Sequence, residues 1–595
     1  MATVAFSLTM LGGVFFRYVL NKSLTWSDEV SLIFFIWATL LAIASGYLHD
    51  KHVNLDLIVR KLPPDWKAGV SVLAEGLTLG YLMSLTVSSF QNLPLVAEMR
   101  TDALRLPMTT PFISIPVACL LMNLHWARRN LTSGNRAAAA VKLLIGGTFL
   151  FLAILPVGQY VQLTGISRAV AMLIALFGPM LIGVPVAISL GFMATFYVGV
   201  VGDVPFNVGA EQIFNGVSIL ALMAIPLLML GGKLMHEAGI ARYIVDFAQV
   251  LVGRVRGGLG ASNVVASFIF GDISGSAVSD TAAIGSLMIP QMKQRGYRAD
   301  FCAALQGTAG TLGMMAPLAI TILMYATATM TSVSRLAAAT ILPAFLLAGS
   351  FMLVTLLHAR RYNYPREHVP RESIVPRILR AVPGIFALVL VVGGILGGVF
   401  TPAEVGAVLL AYVLVLSFFY GTAQPKRLYN AVVEAGYISG MTLFMASTSS
   451  FLGFVMTRDL VSQHVVDFVT QISTDKYMVI FLVSLVFIVL GMILEPPAMI
   501  FGFLPSFMPL LAKVGVDIVH WGVLFCTNMG LGCIIPPVAL NLFVSTQLAD
   551  VRYEEAVRAS IPFIIIMSID LAIMAVFPMI PLMLPHLLFG YPLPK

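Results

Sequence analysis

Charge is scarce in this chain. Only 11% of its 595 residues are Asp, Glu, Lys or Arg, against about 25% in a soluble globular domain. That shortage excludes a water-exposed fold for most of the sequence. Cysteine is nearly absent as well. Cys119, Cys302, Cys526 and Cys533 are the four, none in a CxxC pair and all in apolar segments, which excludes a disulfide framework and leaves buried free thiols as the expectation. Enzyme signatures are missing too. There is no P-loop, His236-Glu237 lacks the second histidine of an HExxH site, and Gly-Asp-Ile-Ser-Gly at 271–275 is not a GxSxG elbow. The chain encodes no ATP-driven mechanism, and no enzyme is expected of it. The first twenty residues carry no charged leader and no cleavage signature, so no cleaved signal peptide is expected.

What fills the chain is apolar. Hydrophobic residues make up 59%, and the mean hydropathy is +0.94. This predicts an all-α polytopic membrane protein, with the lipid bilayer as its solvent and spans of about 20 residues each. The net charge of +7 fits basic cytoplasmic loops and implies no nucleic-acid partner. Residues 1–132 form a first unit of four predicted spans. Its loops carry Lys51, Arg60, Lys61 and Lys67, then Arg100 and Arg105, then Arg128, Arg129, Arg136 and Lys142. That alternation puts the N-terminus in the cytoplasm. Trp26 is an interface anchor there, and Asp28 and Glu29 are either solvated loop charges or contacts to the larger unit. Residues 133–165 hold a short polar linker and a connecting span. Residues 166–595 form a large unit, whose most basic loop, 358–380, is predicted to be cytoplasmic.

The large unit is organised around the serine-rich tract Phe270-Gly-Asp-Ile-Ser-Gly-Ser-Ala-Val-Ser-Asp-Thr-Ala-Ala-Ile-Gly285. Hydroxyl-rich breaks inside apolar sequence belong where they line a cavity or an ion site. The pattern returns further on, in one constant register. Pro290 matches Pro509, Gly296 matches Gly515, Gly313 matches Gly532, Pro317 matches Pro536, and Pro343 matches Pro562, every pair at the same separation. Two halves that break in the same places are the sequence mark of a repeat-built transporter. Re-entrant helical hairpins are expected near 261–290 and 477–511. Only Lys513 follows the second, against Lys293, Arg295 and Arg298 after the first, so the repeat reads as inverted.

Glycine and proline free backbone carbonyls where they interrupt a helix. With Ser and Thr hydroxyls, such carbonyls form an oxygen cage of the kind that binds the ion in sodium-coupled transporters. The expected first Na+ site comprises Ser274, Gly275, Ser276, Thr311, Gly313 and Ala316. The second comprises Glu495, Asn528, Gly530, Gly532, Ile535 and Pro536. Half-helix N-termini suit a carboxylate, and Ser276, Ser279, Asp280, Pro317, Pro537 and Asn541 are the expected substrate contacts. Asp280 either ligates a cation or caps a hairpin helix, and Glu495 is either a cation-site carboxylate or a helix-end group. Glu404 sits at a helix start, where a structural role is expected. Asp570 is a lone intramembrane acid with no assigned role.

The tracts Gly231-Gly-Lys-Leu-Met-His-Glu-Ala-Gly239, Ile273-Ser-Gly-Ser-Ala-Val-Ser-Asp-Thr-Ala-Ala-Ile-Gly285, Thr401-Pro-Ala-Glu404, Glu495-Pro-Pro497 and Ile534-Ile-Pro-Pro-Val538, with Trp26-Ser-Asp-Glu29 and His52-Val-Asn-Leu-Asp56 in the first unit, resemble one family. The chain is similar to the membrane component of a tripartite ATP-independent periplasmic (TRAP) transporter, with its small (Q-type) and large (M-type) subunits fused. The resemblance implies a bacterial inner-membrane, elevator-type importer coupled to sodium, with the four-span unit extending its scaffold. It implies a separate periplasmic substrate-binding protein and an organic-acid substrate such as sialic acid, a dicarboxylate or another sugar acid. One departure stands out: Met315-Ala-Pro-Leu318 replaces the family's usual Ile-Pro-Pro-Ser in the first break. Two other readings make different predictions. A stand-alone sodium/anion symporter predicts uptake without a binding protein, and a channel predicts conductance without sodium stoichiometry.

Overall fold

The computed structural model describes residues 2–49, 59, 62–132, 136–154, 165–201, 204–366 and 374–593. The His52–Asp56 tract, most of the polar linker, and Lys51, Arg60, Lys61 and Arg371 fall outside these. The described residues are almost wholly helical. Ten of their helices are long and apolar enough to cross a membrane. Two compact units emerge: one of residues 1–220, 436–464 and 497–506, the other of 221–435, 465–496 and 507–595.

In the first unit, the N-terminal part forms four long helices, Ala2–Tyr18, Ser27–Leu48, Pro64–Ala97 and Ser114–Thr132. The connecting helix runs over Arg136–Ile154 and lies along Pro64–Ala97. The two backbones approach at Gly76, Gly80 and Gly146, where an added Cβ on Gly146 would lie 3.1 Å from the Gly80 nitrogen. A buried ammonium fixes the same pairing, because Lys142 Nζ donates to Glu75 Oε2 at 2.5 Å and to Asn130 Oδ1 at 2.7 Å. Asp28 pairs with Arg17 at 3.2 Å. Glu29 accepts from the Thr101 hydroxyl at 2.7 Å and from the Ala103 amide at 2.6 Å. Both acids are thus engaged within their own unit, and Glu29 holds down the loop that precedes the fourth of these helices.

Nearly all of the repeat lies in the second unit. The first hairpin is Gly258–Ser274 followed by Ala277–Gln294. Next comes a broken helix, Ala299–Ala309, a tight 3₁₀ turn Gly310–Met314, and Ile320–Ala328. Further along the chain, Lys476–Gly491 is followed by a break, a π-helical turn Ala498–Phe503 that belongs to the first unit, and Leu504–Lys513. A second broken helix follows, Ile518–Gly532 and Leu540–Ala549. The two broken helices start at Ala299 and Ile518, the same separation as that of the glycine and proline matches.

Local chemistry sets these boundaries. Gly257 and Gly275 take φ of +78° and +62° at the two ends of Gly258–Ser274, a conformation that costs glycine nothing. Asp517 accepts from the Val519 and His520 amides, both at 2.9 Å, and so caps the second broken helix. Glu404 completes a capping box with Thr401 at the start of Pro402–Phe419, the structural role expected of it. Asp570 accepts from the Ser350 hydroxyl at 2.9 Å, which ties together two repeat-related long helices.

Candidate functional site

Each half of the repeat brings a hairpin helix against a broken helix at a pair of glycines. A Cβ on Gly271 would stand 2.9 Å from Gly313 Cα. In the other half, a Cβ on Gly532 would stand 2.5 Å from the Gly491 carbonyl carbon. Only glycine permits backbones this close. The two crossings are repeat-equivalent to within one position. The breaks also meet each other, since a Cβ on Gly530 would lie 3.4 Å from Thr311 Cβ.

The hairpin tip at Ser274–Ser276 lies on the first break. The Ile320 amide donates to the Gly275 carbonyl at 3.1 Å. A Cβ on Gly313 would be 3.3 Å from the Ser276 carbonyl carbon, and one on Gly232 would be 3.1 Å from Ser274 Cα. The starts of Ala277–Gln294 and Ile320–Ala328 therefore converge at the tip. Two converging helix N-termini form a positive pole suited to an anion. Of the expected first Na+ site, Ser274, Gly275, Ser276 and Gly313 are neighbours here. Ala316 is buried in the same turn, its carbonyl taking the Ala319 amide at 2.9 Å. Thr311 turns elsewhere: its hydroxyl donates to the Thr308 carbonyl at 2.7 Å, and it faces Gly530.

The second break collects most of the other expected set. Asn528 Nδ2 donates to the Ser484 hydroxyl at 3.2 Å, and among the described residues its Oδ1 has no partner. Ile535 continues the turn with its amide on the Leu531 carbonyl at 3.0 Å. The Pro536–Pro537 peptide is cis and Ala539 is left-handed at φ +45°. Glu495 is half-buried and stands near the Cys533 thiol.

The expected substrate contacts fall into two groups. Ser276 and Ser279 are half-exposed and Pro537 is exposed, whereas Asp280, Pro317 and Asn541 are buried. Sequence reasoning had assigned no role to Gly232, Gly271 or Gly491. The last two are marked by the repeat itself, since they fall one position out of its register. Asn263, Ser267 and Gln306 also went unassigned, because single polar residues in apolar helices carry no spacing signal.

A helical protein with two repeat-related breaks, each crossed by a hairpin helix, has the build of a secondary transporter. Comparison with known families makes this specific. The model "Tripartite ATP-independent periplasmic transporter, DctM component" matches residues 173–580, and "Tripartite ATP-independent periplasmic transporters, DctQ component" matches 6–136. The chain belongs to the TRAP transporter family, with its two membrane components fused in one polypeptide. It is 26% identical over 597 residues to the sialic acid TRAP transporter permease protein SiaT of Haemophilus influenzae, covering 97% of this chain and 96% of that one. It is 28% identical over 569 residues to the isethionate TRAP transporter permease protein DctMQ of Oleidesulfovibrio alaskensis, covering 94% and 88%. It is 33% identical over 381 residues to the C4-dicarboxylate TRAP transporter large permease protein DctM of Pseudomonas aeruginosa, covering 63% and 89%.

Proposed function

We propose that this chain is the membrane component of a sodium-coupled importer of a carboxylate-bearing solute, fed by a separate periplasmic binding protein and working by an elevator motion. The observation that carries this reading is the pair of glycine crossings that set each break against its hairpin. The anion binds between the breaks, with Ser276, Ser279 and Pro537 as its accessible contacts. Sodium binds at the Ser274–Ser276 tip with Gly313 and Ala316, and at Asn528 with Gly530, Gly532 and Glu495. Residues 1–132 serve as the small-subunit scaffold, 133–165 as the connection and 166–595 as the transporting unit, with the N-terminus in the cytoplasm. The relatives' names span sialic acid, isethionate and C4-dicarboxylates. All three are organic anions, carboxylates in two and a sulfonate in isethionate, which supports an anionic substrate and leaves the carboxylate as the reading of the converging helix N-termini.

The test is uptake of radiolabelled carboxylates into proteoliposomes, with and without an inward sodium gradient and the cognate binding protein. Uptake that needs both is the expected result. Ser276→Ala and Asn528→Ala are each expected to raise the sodium concentration for half-maximal uptake by about tenfold, the loss of one ligand worth roughly 1.5 kcal/mol. Uptake indifferent to sodium would refute the cation sites, and uptake without a binding protein would refute the tripartite reading.

A further inference from the structure

Below the hairpin tip, the second unit buries several polar groups without partners among the described residues, including Asp280, which was expected to contact substrate but is fully buried. Asp280 is fully buried, and among the described residues neither of its carboxyl oxygens has a hydrogen-bond partner. Ser267 stands beside that carboxyl without closing a bond to it. Asn263 lies one helical turn earlier on the same face of Gly258–Ser274. It too is fully buried, with both amide atoms unpartnered. Gln306 enters from the first broken helix. Its Nε2 donates to the Asp280 backbone carbonyl at 3.4 Å, while its buried Oε1 has no partner. Ser267 precedes Ser274 by seven residues, about 10 Å along the helix, while Asp280 lies one turn past Ser276, its amide on the Ser276 carbonyl at 2.9 Å, so the cluster extends inward from the tip.

Four such groups at one junction are costly. Each buried unpartnered polar atom costs about 1–3 kcal/mol, and a charge costs more. At the same separation the second half has Leu482, Val486, Met499 and Phe525, all apolar, with Met499 in the π-helical turn Ala498–Phe503. Among the described residues the charged group acting on Asp280 is another acid, Asp272, and no side-chain cation offsets it.

We infer that Asn263, Ser267, Asp280 and Gln306 form a buried binding site for a hard monovalent cation, sodium, distinct from the hairpin-tip and second-break sites. The donors are all oxygen, the set that suits hard cations rather than soft ones. One carboxylate balances one monovalent charge. Among the described residues no three His, Cys, Asp or Glu side chains are placed to hold a metal ion together, so this cluster offers one carboxylate and neutral oxygens rather than a divalent or transition-metal set. The site lies where the hairpin and the broken helix are packed together, so the ion clamps the hairpin while the substrate site is in use. This inference rests on the sodium-coupled reading and adds an ion to it.

The test is the number of ²²Na⁺ ions bound at saturation by the purified full chain in detergent, with sodium-dependent melting as a second readout. Asp280→Asn is expected to bind one ion fewer than the unmodified protein and to show a smaller rise in melting temperature with sodium. In sodium-free buffer it is expected to melt no lower, because the change removes an uncompensated buried charge. The double change Asn263→Leu with Ser267→Leu, apolar like the second repeat, is expected to lose the same ion. An unchanged count in Asp280→Asn would overturn this site alone and would mean that the carboxyl carries a proton. An unmodified protein that binds no sodium would overturn the sodium coupling as well.

Discussion

Replacing Gly532 by alanine tests the backbone crossing on which the site is built. The new Cβ would fall 2.5 Å from the Gly491 carbonyl carbon and 2.7 Å from its Cα and oxygen. Ordinary carbon contacts lie at roughly 3.5–4.0 Å, so the two backbones must part by roughly 1 Å. Overpacking of this kind costs about 1–3 kcal/mol, and the obstacle here is backbone, which places Gly532→Ala near the top of that range. Alanine returns at most about 0.5–1 kcal/mol in helix propensity. The net loss is about 2 kcal/mol, close to a thirtyfold fall in the folded-to-unfolded ratio. Gly530, two positions earlier, makes the contrast. There the Cβ would meet only the end of the Met567 side chain at 2.7 Å and Thr311 Cβ at 3.4 Å, so Gly530→Ala costs less than about 1 kcal/mol. Gly147, with nothing within 4 Å of its Cβ position, is the control. All four cysteines are free and buried, so a thiol-reactive dye reports unfolding directly. At one fixed scan rate, Gly532→Ala is expected to melt several degrees lower, Gly530→Ala slightly lower, and Gly147→Ala unchanged or higher. Equal melting of Gly532→Ala and Gly147→Ala would refute the crossing.

Three further outcomes follow from the contacts. Lys142→Met removes the ammonium from Glu75 and Asn130 and is expected to cost about 1–3 kcal/mol in the same melting assay. Adding Glu75→Gln to it should recover part of that loss, since the leftover carboxylate is the main penalty. Thr401→Ala removes one arm of the capping box and should cost about 0.5–2 kcal/mol, again read by melting. Glu29→Gln weakens the charge-assisted bonds to Ala103 and Leu104. Hydrogen exchange followed by mass spectrometry should show these two amides exchanging faster, while the helix Ser114–Thr132 stays protected.

Much of the backbone plan was legible because glycine and proline act locally. Both hairpins, both breaks and the constant register between them rest on what these residues permit in φ and on the amide that proline lacks. The helix caps were legible for the same reason, as the Thr401–Glu404 box shows. Partners across space were not. Nothing in the sequence says that Gly271 meets Gly313, because a glycine in an apolar helix reads the same whether it faces lipid or another backbone. Glu29 was read as a solvated charge or a contact to the larger unit. Its partners include the loop amides of Ala103 and Leu104, far along the chain, and backbone donors leave no residue type to recognise. Thr311 was placed in the first Na+ set for its hydroxyl at the first break. That hydroxyl donates to the Thr308 carbonyl and the side chain lies against Gly530, a partner across space that composition does not record.

The repeat separates geometry from chemistry in a way that one copy could not. Where the halves agree, at Gly313 and Gly532 or Pro317 and Pro536, the residues set backbone paths. Where they differ, the difference falls mostly on buried side chains that are polar in one half and apolar in the other. Asn528 and its partner Ser484 correspond to Ala309 and Val265 in the first half. In the other direction, Asp280 and Gln306 correspond to Met499 and Phe525. Each half therefore carries polar groups that its counterpart replaces with apolar ones while keeping the same order of helices and breaks. The first sets a buried carboxylate, Asp280, in the hairpin, and the second sets a buried amide, Asn528, in the broken helix, with the Glu495 carboxyl half-buried at its own break.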